Sequence, residues 1–378
     1  MEIVIVGAGP IGCYTAQLLK NNGIKARIIE ENTEVGKPVR CAGLVGRQVF
    51  EKLLLPLDRS SIVNQINGAT FFYSGESFQI MRNKVAFVID REKFDKNLSK
   101  GLNVECNKKI IAIKPKASGY ILTARHEEIY ADFIIGADGA NSRIREYVKC
   151  PVSDSGIDCE KDFIKNYLGV QYRMKLEENS FNKNTAYVYF RKGITFFTWV
   201  IPEGNGIFRI GVASKNNART YLNEFLRENK VDGEVIDKSA GIIPIGLMRN
   251  YYKNIALVGD AAAQVKPLTG GGLYYGLKSA ECLVECLKDG KMADYEKRVK
   301  SLFGKEIRFG LKARRLYEKV NENEIKNLFN LFKQNYKFIE KAANFERHSV
   351  IFTEILKKPT MVRDLCGILG KNIIKLLF

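Results

Sequence analysis

The chain contains no run of about 18 consecutive apolar residues, so no membrane-spanning helix is expected from it. Its eight cysteines form no C-x-x-C, and the spacings that hold zinc or an iron–sulfur cluster are absent, so no metal site is expected. Cys282 and Cys286 stand one helical turn apart and read as small buried apolar residues. Cys150 and Cys159 flank a polar loop and would pair only in an oxidising compartment. There are two histidines, His126 and His348. Both lie outside every motif and read as surface residues, which leaves histidine-based acid–base chemistry without a candidate. No nucleic-acid-binding motif accompanies the dispersed basic residues, so nucleic acid is not an expected partner. No basic segment precedes the first apolar strand. The expectation is therefore no cleaved leader and a cytoplasmic protein, peripheral at most on the inner face of the cell membrane.

What is present is a globular chain of 378 residues, 46% hydrophobic, long enough for two domains. Its net charge is +18. Such a charge suits either a lysine-rich solvated surface or attraction to an anionic membrane or an acidic redox partner. Half of it lies in residues 289–378, which carry 20 Lys and Arg against 11 Asp and Glu.

The clearest motif stands at the N-terminus. Ile3 to Val6 is a short apolar strand, followed at once by Gly7-x-Gly9-x-x-Gly12. A helix from Cys13 to Asn22 ends at Gly23, and a second strand from Ala26 to Ile29 closes on Glu30, 18 residues after Gly12. In this arrangement Gly7 permits the tight turn, Gly9 lets backbone approach a pyrophosphate, and Gly12 lets the helix pack on the strand. The helix N-terminus offers unpaired N–H groups to phosphate, and Glu30 would accept ribose hydroxyls. No second fingerprint of this kind is visible, so a separate NAD(P)H site is not expected from sequence.

Further along, Val35 to Gly46 is a Gly- and Pro-punctuated loop that connects or wraps a cofactor, with Arg40 and Cys41 beside it. Cys41 reads either as a reactive thiol or as a packing residue. Gln48 to Leu55 looks helical. Ala69 to Val88 suggests antiparallel strands turning at Ser74-Gly75. Asp90 caps a helix reaching Leu98, and Arg91 in its first turn faces a cofactor or pairs with a carboxylate. Strands are expected near Val104–Ile113 and Tyr120–Arg125. Ala131 to Gly136 is a buried strand leading into Ala137-Asp138-Gly139 and a basic helix start. Ile255 to Val258 repeats that theme before Gly259-Asp260-Ala261 and Pro267-x-x-Gly270-Gly271-Gly272. A long helix then runs from Leu273 to about Lys288. Asp260 is placed to accept hydrogen bonds from a sugar-alcohol chain, and the triglycine offers N–H groups and a helix end to negative charge.

Between these motifs, four strands are expected at Leu168–Arg173, Ala186–Phe190, Ile194–Ile201 and Ile207–Ala213, with a helix from Asn216 to Asn229 backing them. Phe190, Phe196, Phe197, Trp199 and Phe208 make this sheet aromatic: a normal core, or together the wall of an apolar tunnel. From Ala293 the chain turns helical. Its last stretch, Met361 to Phe378, packs on the body or lies on a membrane as a basic amphipathic helix.

These three motifs in this order resemble the FAD-binding fold of p-hydroxybenzoate-hydroxylase-like flavoproteins. Within that group, Lys37-Pro38-Val39-Arg40-Cys41-Ala42-Gly43, Asp90-Arg91-x-x-Phe94-Asp95-x-x-Leu98 and Phe197-Thr198-Trp199-Val200-Ile201-Pro202 resemble the geranylgeranyl reductase family. The last stretch is similar to that family's Tyr-x-Trp-x-Phe-Pro motif, with Phe197 for Tyr and Ile201 for Phe.

The resemblance implies an α/β fold: a Rossmann-like FAD-binding domain (1–150 and 240–290, with 60–90 partly in the substrate domain), an antiparallel-sheet substrate domain (151–239) and a C-terminal helical region (291–378). It implies FAD contacts at Ile11, Glu30, Cys41, Ala42, Leu44, Arg91, Ile110, Asp260, Gly272 and Leu273, and substrate contacts at Phe197, Trp199, Ile201 and Pro202. The motif residues Gly7, Gly9, Gly12, Arg40, Asp138, Pro267, Gly270 and Gly271 complete the expected cofactor site, with Cys41 the candidate catalytic residue.

The activity implied is flavin-dependent reduction of carbon–carbon double bonds in a prenylated lipid or quinone, by a monomer. Electrons would come from a ferredoxin-like protein or NAD(P)H. Two other readings stay open. Phe197-x-Trp199-x-Ile201-Pro202 also resembles the halogenase Trp-x-Trp-x-Ile-Pro motif, which points to a monooxygenase or halogenase. A flavoprotein that only relays electrons at a membrane surface is the third.

Overall fold

The computed structural model describes residues 1–125, 127–148, 163–177 and 180–370. His126, Cys150, Cys159 and residues 371–378, about which the sequence raised expectations, lie outside the described residues. In chain order the α-helices are α1 (Pro10–Asn21), α2 (Gln48–Glu51), α3 (Arg91–Ser99), α4 (Ala218–Glu228), α5 (Leu273–Lys288), α6 (Tyr295–Tyr317), α7 (Glu322–Gln334), α8 (Tyr336–Ala342), α9 (Ser349–Leu356) and α10 (Pro359–Leu369).

Among the described residues the strands form three sheets. The first has six strands and is parallel except at one edge. Ile3–Val6 lies at its centre, flanked by Phe133–Gly136 and Ala26–Ile29, with Ile255–Leu257 beyond the former and Val104–Glu105 beyond the latter. These strands are apolar throughout because both faces are covered, as parallel sheets require. Ile3 to Val6 are all buried. On one face α1 packs against α5, and Tyr14 Oη donates to Glu281 Oε1 at 2.8 Å.

The second sheet has eight strands in the order Glu234–Leu247, Phe163–Lys175, Ile207–Ser214, Thr198–Gly204, Ala186–Tyr189, Ile62–Tyr73, Glu76–Ile89, Leu44–Gly46. All pairs are antiparallel except Ala186–Tyr189 with Ile62–Tyr73. A three-stranded antiparallel sheet (Ala112–Lys116, Gly119–Thr123, Glu128–Ala131) covers the other face of the parallel sheet through Ile113, Leu122 and Ile129. The helices after α5 pack on the tip of the large sheet, where Phe71, Tyr73, Phe78 and Phe190 meet Ile325, Phe329, Ile339, Leu365 and Leu369.

The expected hairpin turns at Ser74-Gly75, both at positive φ. The helix expected over Gln48–Leu55 stops at Glu51, because Leu54 N–H and Leu55 N–H turn to Glu281 Oε1 (2.7 Å) and Tyr14 Oη (3.3 Å) instead of helix carbonyls. The Glu234–Leu247 strand is not evident from sequence, since it carries Pro244 and two glycines. It holds an edge of the large sheet, where proline is tolerated. It pairs with Phe163–Lys175 along its length, so that sheet extends past residue 239.

Candidate functional site

The site begins where the central strand ends. Gly7 takes φ +101°, and a Cβ there would lie 2.5 Å from the Ala137 carbonyl oxygen. A Cβ on Gly12 would lie 1.9 Å from Gly7 O, so the helix meets the strand backbone to backbone. A Cβ on Gly9 would meet nothing within 4 Å. Gly9 caps α1 without a side-chain hydrogen bond, Pro10 opens the helix, and no acid occupies the first turn. The helix thus presents unpaired N–H groups to open space, the arrangement that accepts a phosphate.

Glu30 ends the neighbouring strand and is 8% exposed. Its Oε2 accepts Ala8 N–H at 2.7 Å and its Oε1 accepts Asn32 N–H at 3.0 Å. The carboxylate is therefore fixed against the glycine loop, with lone pairs left for hydroxyl donors. Asp138 follows the strand beside it. Its Oδ2 accepts Arg143 N–H (2.8 Å) and Ile144 N–H (3.2 Å), while its Oδ1 is buried without a partner. Burial pushes the Asp138 carboxyl up, against hydrogen bonds from Ser142 and nearby amides. Burial likewise pushes the Asp260 carboxyl up, with the Arg91 and Arg145 charges opposing it.

The second helix end belongs to α5. Gly272 caps it without a side-chain bond and no acid stands in the first turn. A Cβ on Gly272 would meet Asp260 Oδ1 at 2.8 Å. The preceding loop is closed by Lys266 N–H to Gly271 O (3.0 Å) and Gly270 N–H to Lys266 O (2.9 Å). Arg314 of α6 holds it from behind: Nε donates to Pro267 O (2.6 Å), one terminal nitrogen to Leu268 O (3.1 Å) and the other to Thr195 O (2.7 Å). The Arg314 guanidinium lies 3.5 Å above the Phe196 ring, and burial pushes its pKa down to about 10.

Across from this loop, Arg40 to Gly46 forms the opposite wall. Arg209 anchors it, donating to Ala42 O (2.8 Å) and Ile89 O (3.0 Å) while Nε pairs with Glu203. A Cβ on Gly43 would fall 1.9 Å from that guanidinium. Arg91 pairs with Asp95 through both carboxylate oxygens (3.2 and 3.0 Å), the carboxylate pairing that the sequence offered as one of its two roles, and it also lines the cavity. The Cys41 thiol lies beside the Arg91 guanidinium, and it accepts Gly43 N–H at 3.4 Å.

These walls enclose one cavity of about 1260 Å³. Gly7, Gly9, Ile11, Glu30, Arg40, Cys41, Ala42, Leu44, Arg91, Ile110, Asp138, Asp260, Gly270, Gly271, Gly272 and Leu273 all line it, as do Phe197, Trp199 and Ile201. Gly12, Pro267 and Pro202 do not. Gly12 serves the helix–strand contact, Pro267 packs on Gly310 of α6, and Pro202 sits in the sheet opposite Phe208. Trp199 lies over Gly211 of the next strand, where a Cβ would come within 2.4 Å of its ring, and its Nε1 donates to Gln171 at 3.0 Å.

The cavity is also lined by Phe71, Phe78 and Phe190 at the large sheet and by Val320, Phe329 and Phe332 of the C-terminal region, with the Phe78 and Phe329 rings in contact at 5.2 Å. No motif in the sequence singles out those C-terminal residues. His348 is a correction. It lines the cavity at 19% side-chain exposure rather than the surface. Burial and the nearby Lys266 charge push its pKa down to about 3, so it is neutral at ordinary pH.

Residues 1–49 and 114–289 match the FAD binding domain family. The chain belongs to that family. FAD is its cofactor, and it is an FAD-dependent oxidoreductase. The open space at Gly9, the two uncapped helix ends and the unpartnered Asp138 oxygen suit a ligand of that kind. The chain is similar to an uncharacterized protein of Methanocaldococcus jannaschii, 29% identical over 94% of this chain and 95% of that one. It is similar to the digeranylgeranylglycerophospholipid reductase of the same organism, 27% identical over 96% of each. Its fold is similar to that of a geranylgeranyl bacteriochlorophyll reductase-like protein from Thermoplasma acidophilum, with a TM-score of 0.77 at 23% identity over 97% of this chain and 98% of that one.

Proposed function

We propose that this oxidoreductase saturates carbon–carbon double bonds in the prenyl chains of membrane lipids or isoprenoid quinones. The observation that carries the reading is the single cavity that joins the glycine-lined cradle to an aromatic and aliphatic channel under α7 and α10. An isolated alkene offers no polar group to grip, so only a shaped apolar channel can position it. The names of the similar archaeal reductases agree with such a substrate.

In this reading Gly7 to Ile11 hold the pyrophosphate of FAD, Glu30 its ribose, Asp260 its ribityl chain, and Gly270 to Leu273 the pyrimidine edge. Bound FAD would supply hydride to one alkene carbon, with a proton added at the other to complete the saturation. The protein's own part is placement and dryness. Phe197, Trp199 and Ile201 hold the alkene against the cradle, and the C-terminal helices keep water from it. Cys41, beside Arg91, is the candidate catalytic thiol. The electron donor is a small acidic ferredoxin-like protein, which a +18 chain attracts. The chain works as a monomer at the inner face of an anionic membrane.

The test is anaerobic. The purified flavoprotein is reduced with dithionite and mixed with a geranylgeranylated lipid in the absence of oxygen. Reoxidation of the flavin, with a mass gain of one hydrogen pair per double bond, is the expected result. Flavin that stays reduced until oxygen is admitted overturns the reading in favour of a monooxygenase.

A further inference from the structure

An ion pair is buried in the wall of this cavity. Lys266 is 4% exposed and Glu346 4% exposed, and their side chains meet at 2.9 Å. Lys266 Nζ also donates to Phe345 O at 2.9 Å and lies 4.4 Å from the centre of the Phe345 ring. The pair closes a long-range contact. Lys266 opens the loop that ends in the triglycine, whereas Glu346 lies in the strap between α8 and α9. That strap is tied down independently: Tyr275 Oη donates to Glu346 O at 2.9 Å, and Glu306 of α6 accepts His348 N–H (2.7 Å) and Ser349 N–H (3.0 Å).

Stability does not account for a charge pair here, because well-packed apolar residues of similar volume usually do as well or better in a buried site. The position of the charge is more telling. Lys266 Cε lies 2.9 Å from where a Cβ on Gly271 would stand, so its stem runs directly beneath the triglycine. A side chain on Gly271 would require that lysine to shift. The α5 N-terminus, uncapped and with no acid in its own first turn, points into the same part of the cavity, with Asp260 Oδ1 beside its Gly272 cap. The helix end and the Lys266 ammonium thus stand at one end of the cradle, and the ammonium, 3.4 Å from where a Gly271 Cβ would be, lies between the triglycine and its Glu346 partner. Glu346 approaches from the opposite side, with Oε1 beside Gly46 of the facing wall.

We propose that Lys266 sets the electrostatic potential at the triglycine end of the cradle and thereby the reduction potential of bound FAD, and that Glu346 is the positioning residue that keeps the ammonium there. A cofactor that gains negative charge on reduction is favoured by a cation held beneath Gly271. The proposal concerns the cradle alone and does not depend on which substrate enters the channel.

The FAD-loaded protein is titrated with sulfite, whose addition places negative charge on the flavin, and the loss of the visible flavin band gives Kd. Its midpoint potential is measured by dye equilibration. The decisive variant exchanges the partners, Lys266→Glu with Glu346→Lys. It keeps an ion pair and the net charge and reverses the order of charge. The expected result is sulfite affinity about tenfold weaker and a midpoint potential lower by about 30 mV, the two-electron equivalent of that factor. Wild-type values overturn the proposal, since a purely structural pair would survive the exchange. Where the exchanged protein does not retain FAD, Lys266→Met replaces it. Weaker sulfite binding is again expected, with Lys266→Arg within about twofold of wild type. Affinity in Lys266→Met equal to or tighter than wild type overturns the idea.

Discussion

The cradle has two helix ends that look alike and are held in different ways. Both α1 and α5 start on a glycine, lack a side-chain cap and carry no acid in the first turn. The α1 end is fixed by backbone against backbone, through Gly7, Gly12, Ala137 and the Glu30 carboxylate on Ala8 N–H. The α5 end is fixed by side chains that arrive from far along the chain, Arg314 from α6 and Glu346 from the α8–α9 strap. A phosphate loop made of main chain tolerates few substitutions at its glycines and many around them. A loop braced by distant side chains fails when any one brace is removed, and the rest of the fold need not follow.

The sharpest way to break this contrast is at Gly9. A Cβ there meets no protein atom within 4 Å, so Gly9→Val should fold with a melting temperature near that of wild type. Its side chain would nonetheless fill the space left for a pyrophosphate, and the protein should be colourless. Normal flavin content in the purified variant would remove Gly9 from the site.

On the other end, Arg314→Met leaves the carbonyls of Pro267, Leu268 and Thr195 without their donor. An unpartnered buried polar group costs ~1–3 kcal/mol, so a loss of about 3 kcal/mol in urea unfolding is expected. Arg314→Lys should not recover it, because an ammonium cannot reproduce the planar fork that serves three acceptors. Equal stability of the methionine variant and wild type would show that α6 does not brace the loop.

The strap supplies a pH test. His348 has a folded pKa of about 3 against an ordinary 6.5. The folded protein therefore binds fewer protons than the unfolded chain between these values, and stability falls as the pH is lowered from 6.5 towards 3. His348→Gln should flatten that limb of the stability–pH curve and leave stability above pH 7 nearly unchanged. An unaltered acid limb would mean that the imidazole is not held neutral in the fold.

The smallest effect is expected at Glu30. Its carboxylate serves Ala8 and Asn32, so Glu30→Ala leaves the buried Ala8 N–H without its acceptor and should cost about 1 kcal/mol, the low end for such a group, without loss of the fold. FAD binding should weaken about tenfold, the worth of one hydrogen bond to a charged group at the low end of its range. Flavin content unchanged after dialysis would argue that the ribose is held elsewhere.

The same contrast explains what could be read from the sequence. Ile3–Val6, α1 and Ala26–Ile29 are local, and a short strand, three spaced glycines and an acid specify them with no other part of the chain present. Leu273–Lys288 was legible for the same reason, as one uninterrupted helix behind glycines. The aromatic wall was visible as composition, while its partner across the channel was not: Phe329 and Phe332 read equally well as one face of any packed helix. Nor do letters reveal that Lys266 finds Glu346 or that Arg314 finds Pro267, since the contacts span 80 and 47 residues. His348 was misplaced on the surface because a lone polar residue carries no sign of what folds over it.

The position of Ile255–Leu257 has a consequence for how the molecule is made. This strand lies beside Phe133–Gly136, and the Gly259–Leu273 segment that follows it completes the cradle. A chain emerging from the ribosome therefore exposes its phosphate loop first and must wait for more than half of its length before a cradle exists to receive a flavin. The strap that lines the cavity at Phe345, Glu346 and His348 is made later still. Capture of the cofactor thus follows synthesis of the Gly259–Leu273 segment, and release of the chain before it leaves a fragment with the fingerprint of a flavoprotein and no place for the ring.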